Sequence, residues 1–398
     1  MHCGCINALQ YFPKGSASSP QYFSLVLHLQ NKQLTMRIGV NAACLLQESP
    51  ADTGNIITDM LTGLTRLHPE HTFIFFYDSA PSPAVQWPEN VMKVVVPLKG
   101  HRSWQEYLWL EWKLKRAIQQ QQLDLFLSLD GRLPLGSKVP AQLLVTDTGF
   151  LHDVAGIPAS RKRARQKNMI RYLQKAGEVR VLSHTLKEDL LRYAPEIEGK
   201  LKVLQPEVSS AYKPLEWEER EDVKREFAGG VEYFIAVGSL HPRNNIMPLL
   251  KAFSALKRRL HSNMKLVLAG SATAAGEEIT ASLPSYKYRN DIVLLQDADQ
   301  QTLARAIGGA YAMIYTSRFA GVAMPVYAAL QCQVPVIALE SAVAREAGGE
   351  AVLYADPENL EDLANKMCLI YKDEELRSRL LGKIIPPAAA GNVEMLIG

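Results

Sequence analysis

The 398-residue chain predicts an α/β protein with two doubly wound parallel sheets facing each other across a cleft. Three observations predict it. Short apolar runs alternate with longer amphipathic segments along most of the chain, as strands do when helices cover both faces of a sheet. The scheme breaks once, at YKPLEWEERE (Tyr212–Glu221), and then repeats. Finally, Ala312–Leu339 reads as strand, glycine-bearing loop, helix and strand in succession. In such a sheet the loop after the strand faces a ligand, and the helix N-terminus favours an anion.

The N-terminal half opens with a strand at Arg37–Asn41 and an amphipathic helix at Gly54–Leu67, its apolar face made by Ile56, Ile57, Met60, Leu61, Leu64 and Leu67. Thr72–Tyr77 and Met92–Val96 are β-rich runs bounded by Pro, Asp and Asn. The aromatic-rich helix Trp104–Gln121 either packs on the core or seats on a membrane, since indole rings suit both. Strands Asp124–Ser128 and Gln142–Asp147, the basic helix 159–176, strand Val179–Ser183, helix Thr185–Tyr193 and strand Leu201–Leu204 complete this half.

Tyr212–Glu221 reads as a linker. Beyond it follow strand Tyr233–Val237, helix Ile246–Leu260, strands Lys265–Ala269 and Ile292–Leu295, and helix Gln300–Ile307. Then come strand Ala312–Tyr315, loop Thr316–Met324, helix Pro325–Gln331 and strand Val336–Leu339. Pro325 suits a first helical turn, where its missing N–H has no partner. Strand Ala351–Tyr354 and helices Pro357–Tyr371 and Glu374–Leu381 close the series. The expected organisation is an N-terminal extension (1–35) outside the fold, a first Rossmann-like domain (36–213) and a second (214–398).

Composition narrows the function. At 47% hydrophobic and 21% charged, the chain is an ordinary globular protein. A net charge of +3 gives no case for nucleic acid. Basic residues cluster at Arg161, Lys162, Arg163, Arg165, Lys167 and Arg171, and at Lys257–Arg259, as solvated faces or as a contact for an anionic membrane surface. Five cysteines form neither a disulfide framework nor a zinc pattern, so a reducing cytoplasmic setting is expected. No apolar run approaches the roughly 18 residues of a membrane span, and Tyr22–Leu29 is too short for one. Hydrolase, dinucleotide and P-loop motifs are missing: there is no G-x-S-x-G, G-x-G-x-x-G or G-x-x-x-x-G-K.

The run Ala320-Gly321-Val322-Ala323-Met324-Pro325-Val326-Tyr327-Ala328-Ala329, closed by Pro335-Val336, resembles the signature E-G-F-G-L-P-x-L-E-A-M-A-x-G-x-P-V of the group 1 (family four) glycosyltransferases, which have the two-domain GT-B fold. The register continues through Glu346 to Asp356-Pro357, and Met36–Val40 is similar to the family's opening strand. The resemblance covers roughly Met36 to Leu381. It implies that the first domain takes the acceptor and the second the nucleotide-sugar donor. Relatives usually end in a further helix packed back on the first domain, which here reads as truncated or replaced.

The resemblance also implies site residues. Gly238-Ser239-Leu240-His241-Pro242-Arg243-Asn244-Asn245 is similar to the family's G-x-L-x-x-R-K-N. Gly238 permits close backbone approach to a phosphate, and Arg243 matches the arginine on the donor diphosphate, a task suited to a permanently charged planar fork. Asn244 replaces the following lysine. Gly321, Val322, Ala323 and Met324, with Pro325, still offer a nest of main-chain N–H groups. Ala320 and Ala328 replace the two signature glutamates. Losing the carboxylate on the ribose (at Ala328) removes a charged hydrogen bond of roughly 1.5–3 kcal/mol, or about one to two powers of ten in donor affinity. Arg318 is a candidate to compensate on phosphate. Thr146-Asp147-Thr148-Gly149-Phe150-Leu151-His152 is similar to H-D-L-x-F-L-H, with Thr146 in place of the leading histidine. Asp147 and Arg243 are the candidate catalytic residues, and Thr146 and His152 stand on the acceptor side.

The activity this implies is hexosyl transfer from a UDP- or GDP-sugar to a glycan or lipid-linked acceptor, retaining and without a metal or other cofactor. Its setting is the cytoplasm, with membrane contact through the basic helix 159–176 as a further option. The alternative is a catalytically inactive glycosyltransferase-like subunit, or a glycan- or nucleotide-binding partner, prompted by the replacements at Thr146, Asn244, Ala320 and Ala328.

Overall fold

In the computed structural model, described over residues 35–46, 53–81, 86–100, 103–152, 159–205, 207–273, 276–385 and 396–397, two parallel sheets organise the chain. The first has the order β3-β2-β1-β4-β5-β6-β7 and the second β10-β9-β8-β11-β12-β13. Strands β1 (Arg37–Asn41), β2 (Thr72–Tyr77), β3 (Val91–Val95), β4 (Leu125–Ser128), β5 (Ala141–Val145), β6 (Glu178–Val181) and β7 (Leu201–Val203) form the first. Strands β8 (Tyr233–Val237), β9 (Lys265–Ala269), β10 (Ile292–Leu295), β11 (Ala312–Tyr315), β12 (Val336–Leu339) and β13 (Val352–Ala355) form the second. Both orders reverse between their first and fourth strands, so each sheet has a switch point where a crevice opens at the strand C-termini.

Burial explains the continuous apolar runs. Phe73, Ile74, Phe75 and Phe76 on β2 are all buried, as are Tyr233, Phe234 and Ile235 on β8. Consecutive residues on a strand face opposite sides, so both faces of each sheet are covered. The second sheet also requires glycine where its loops converge. Gly270 has φ +153°, and a Cβ there would stand 2.1 Å from the Gly238 carbonyl oxygen. The loops after β8 and β9 are thereby held in direct backbone contact.

Three departures from the sequence reading have physical causes. The expected linker Tyr212–Glu221 is already helical from its sixth residue: a helix spans Trp217–Ala228, opened by a capping box between Glu216 and Glu219 and ended by Gly229 in the left-handed conformation. The aromatic segment is helical but changes pitch, with Ser103–Leu108 and Lys115–Gln120 α-helical around π-helical turns at Trp109–Leu114. It buries Trp109, whose indole N–H donates to the Val96 carbonyl (2.6 Å), while Trp104 (58%) and Trp112 (72%) stay exposed. A helix at Ala342–Gly348, capped by Ser341, lies between β12 and β13 and has no counterpart in the sequence reading.

Leu396 is buried in the core of the first lobe, with Ile397 packed beside it. Residues 1–34, including Cys3 and Cys5, and Pro386–Gly391 lie outside the described residues. Cys44, Cys332 and Cys368 are free thiols.

We expect Gly270→Ala to lower the unfolding free energy by about 2 kcal/mol, because the backbone is strained for any L side chain and the added methyl meets main chain. Urea unfolding followed by circular dichroism checks this; an unchanged midpoint contradicts it.

Candidate donor cleft between the two sheets

The loops that follow β8 and β11 flank the switch point of the second sheet, and the loop after β5 meets them from the first. After β8, Gly238 takes φ +145°, and Pro242–Asn244 form a single 3-10 turn. Asn245, at φ +50°, turns the chain into the helix Ile246–Leu260 and donates its side-chain amide to the Thr316 carbonyl (2.8 Å). These turns aim Arg243 across the gap. One arm of its guanidinium lies 3.4 Å from Asp147 Oδ2, and the other donates to the Phe319 carbonyl. About a quarter of each side chain of the pair is exposed.

Asp147 does two things at once. Its other carboxylate oxygen accepts the Gly149 N–H (2.6 Å), fixing the turn after β5. Asn244, which stands in place of a lysine, is buried and donates back to the Ser239 carbonyl (2.8 Å). It stiffens its own loop.

The central loop is held tightly against the first lobe. Ser183 Oγ donates to the Gly321 carbonyl (2.7 Å). A Cβ at Gly321 would stand 1.8 Å from the Thr146 carbonyl oxygen, so only glycine permits this approach. The helix Met324–Gln331 begins directly after it, with Pro325 in its first turn. Among the described residues no protein acceptor takes the amide protons of Gly321, Val322, Ala323 or Met324. Of these, the N-cap Ala323 and the first helical residue Met324 are orphan donors of a helix N-terminus, and Gly321 and Val322 belong to the loop before it.

Two cavities share the walls so formed. One of about 110 Å³ is lined by Thr146, Asp147, Arg243, Asn244, Ala320 and the run Gly321, Val322, Met324 and Pro325, among others. Ser317, buried and with no partner for its hydroxyl among the described residues, also faces it. The other, about 290 Å³, is lined among others by Asp147, His152, Asp189, Arg318, Phe319 and Ala320. Ala320 and Asp147 belong to both, so the loop Phe319–Ala320 is the partition.

The structure thus brings Thr146, Asp147, Arg243, Asn244, Gly321, Val322, Met324 and Pro325 to one cavity and His152 to the neighbouring one, while Ala323 is buried in the second lobe's core and lines neither. His152 Nε2 lies 2.6 Å from Asp189 Oδ2, which also accepts from the Thr148 hydroxyl (2.8 Å), and its ring stacks on Phe319 at 5.5 Å. Arg318 is ion-paired with Glu358 (2.7 Å). Ser239 is buried beneath the loop, held by Asn244. Gly238 lies at a smaller adjoining cavity of about 10 Å³. Ala328 is buried in the second lobe's core and lines neither larger cavity. Beside it, burial and then the Glu346 carboxylate push the Tyr327 phenol up to about 12.

Several contributors have no role in the sequence reading, which gives Glu346 only as a position of the family register. Glu346 reaches across from the second lobe to cap the helix His184–Tyr193, accepting from the N–H groups of His184 (2.6 Å) and Thr185 (2.9 Å) and from the Thr185 hydroxyl (2.7 Å). Asp59, whose carboxyl is pushed up chiefly by burial, accepts from Gln300 across the same gap (2.9 Å). Ser183 carried a readable signal, a serine directly before a helix. Asp189 carried none.

Residues 218–382 match the family model described as "Glycosyl transferases group 1". The O-antigen chain mannosyltransferase B of Escherichia coli is 22% identical over 221 residues, a match that spans 55% of this chain and 58% of that protein. Among solved structures, the fold is similar to sucrose-phosphate synthase from Thermosynechococcus elongatus (TM-score 0.71, 17% identity, 91% and 94% of the two chains). It is likewise similar to HepE of Anabaena in complex with UDP and glucose (TM-score 0.67, 14% identity, 91% and 97%).

Glu346→Ala should cost about 1–2 kcal/mol, the worth of a helix cap, and should speed amide exchange at residues 184–186 in hydrogen–deuterium exchange mass spectrometry. Unaltered exchange there would show that the contact between the lobes does not depend on this carboxylate.

Proposed function

We propose a reaction for a chain that is, by residues 218–382 and its two parallel sheets, a group 1 glycosyltransferase of GT-B architecture: hexosyl transfer from a nucleotide-diphosphate sugar to a glycan or lipid-linked acceptor. One observation carries the reading. Four consecutive main-chain N–H groups, in the loop before a helix and at its first residue, have no protein acceptor among the described residues and lie near an arginine turned into the cleft. Such a nest, with the dipole of the helix behind it, is suited to a diphosphate. A guanidinium on the departing diphosphate stabilises charge that grows in the transition state.

In this reading the diphosphate takes Arg243 from the Phe319 carbonyl, and Asp147 keeps the guanidinium's orientation. Freed of that hydrogen bond, the Phe319–Ala320 partition opens the smaller cavity into the larger. Thr146 and His152 then meet the acceptor, with Asp189 fixing the imidazole. Retention of anomeric configuration and independence of metal follow from the family resemblance. UDP and GDP are the donor nucleotides to test first, given HepE with UDP and glucose and the mannosyltransferase relative.

The acceptor's lipid carrier would bring the protein to the cytoplasmic face of a membrane. Arg163, Arg165, Lys167 and Arg171 are exposed on the helix Ala159–Lys175, and exposed Trp104 and Trp112 add interfacial side chains. No helix among the described residues is long and apolar enough to cross a bilayer.

A thermal-shift panel of UDP, GDP and their sugars tests the donor. A ligand at 100 times its dissociation constant adds about 2.7 kcal/mol of stability, and Arg243→Ala should abolish both the shift and donor-dependent turnover. Silence across the panel at millimolar ligand would leave the chain a non-catalytic member of its family. For the membrane, four Ser substitutions at Arg163, Arg165, Lys167 and Arg171 should weaken co-sedimentation with anionic vesicles at least tenfold, at about 1 kcal/mol per basic residue. Equal binding by the variant would remove this helix from the reading.

A further inference from the structure

The turn His68-Pro69-Glu70-His71 lies at the opposite end of the first sheet from the cleft, between the helix Thr53–Leu67 and the start of β2. Glu70 Oε1 is 3.1 Å from His68 Nδ1 and 3.8 Å from His71 Nδ1. The two imidazoles are nearly parallel, 14° apart with centroids separated by 5.4 Å, and one ligand atom from each of the three residues lies within 4.8 Å of the others. His71 is only 8% exposed, yet its Nδ1 has no hydrogen-bond partner among the described residues; the same holds for His68 Nε2. Asn90 fixes the turn from below, donating to the carbonyls of Thr65 (2.9 Å) and His68 (3.0 Å).

A buried ring nitrogen without a partner is costly and asks for an explanation. A hydrogen bond from His68 Nδ1 to Glu70 leaves His71 Nδ1 orphaned; a cation where the two Nδ1 atoms and the carboxylate converge gives His71 Nδ1 a partner, and His68 Nε2 lies outside the ligand set. Two imidazoles and one carboxylate with room for water form a ligand set of zinc, whereas calcium and magnesium take oxygen ligands. Metal–nitrogen bonds of about 2.0–2.1 Å in a tetrahedron set ligand atoms about 3.3 Å apart, and the two contacts to Glu70 bracket that spacing.

We infer that His68 Nδ1, Glu70 Oε1 and His71 Nδ1 bind one zinc-class divalent cation, with water completing the tetrahedron, and that it fastens the end of the helix Thr53–Leu67 to the start of β2. The role is structural, since β2 runs from this turn towards the cleft and places the whole sheet between the two sites.

The test uses tag-free, full-length protein carrying Cys3→Ser and Cys5→Ser, which removes the N-terminal thiols as competing ligands. After chelator treatment it is titrated with Co²⁺ and read by the visible d–d bands of a four-coordinate ion. The expected result is one equivalent bound and a rise in Tm on adding Zn²⁺. In Glu70→Gln and His68→Gln the affinity should fall at least about tenfold. These variants alter part-exposed side chains, so they test the site without emptying the core at His71; circular dichroism confirms their fold, and donor binding should not change. Absence of the bands, or variants that bind Co²⁺ as the parent does, overturns the inference.

Discussion

The arrangement of the cleft depends on one backbone approach. Gly321 comes so close to the Thr146 carbonyl that no side chain fits between them, and Ser183 ties the Gly321 carbonyl to the first lobe. Everything else in the gap is placed by this contact. It sets Phe319 within reach of Arg243, sets Arg243 beside Asp147, and puts Val322 and Met324, whose amides have no protein acceptor among the described residues, in the wall of a cavity. The Glu346 cap and the Asp59–Gln300 bond act at two further points of the same seam. Side chains from four different elements thus hold the lobes in one relative position.

The electrostatics of the candidate donor site follow from what surrounds it. Asn244 is neutral and spent on its own loop, so a diphosphate would meet one guanidinium, itself partly balanced by Asp147. The dipole of the helix Met324–Gln331 contributes about 0.3–1 kcal/mol at an exposed site and up to about 2 when partly buried. A lost charged hydrogen bond costs roughly 1.5–3 kcal/mol. The dipole therefore offsets part of the missing lysine and none of the missing ribose carboxylate. Main-chain amides must supply the rest, and they are insensitive to the alanine replacements at 320 and 328. That is the physical sense in which a site can lose its signature side chains and retain its affinity for phosphate.

The strands were legible because each is an apolar run short enough to be fully buried and closed by a turn residue; β1, β2, β8, β9, β10, β11 and β12 fall on the expected residues. The helix Trp217–Ala228 was hidden for the opposite reason. Its sequence, WEEREDVKREFA, buries only Val223, Lys224 and Ala228, so it has almost no apolar periodicity, and its capping box uses Glu216 where Ser or Thr is the usual signal. The pitch change at Trp109–Leu114 leaves no local trace. In the site, the loops and Arg243 were readable from local pattern and family register. Glu346 with His184, and Ser183 with Gly321, stand far apart in the chain, and only the packing of one lobe on the other brings them together.

The two cavities set Ala320 apart from Ala328, since Ala320 lines both and Ala328 neither. Pockets for ligands of this kind run to about 300–1,000 Å³. The larger cavity, about 290 Å³, sits at that lower edge and the smaller, about 110 Å³, well below it. Neither alone holds a nucleotide-sugar, and the partition between them is Ala320 with Phe319, whose carbonyl is held by the guanidinium that a diphosphate would claim. Ala328 sits within the core of the second lobe, where an alanine packs without a buried charge. A carboxylate there would have to be desolvated without a partner. The replacement at 328 therefore suits the packing of this lobe, while the one at 320 leaves only a methyl group in the wall the two cavities share.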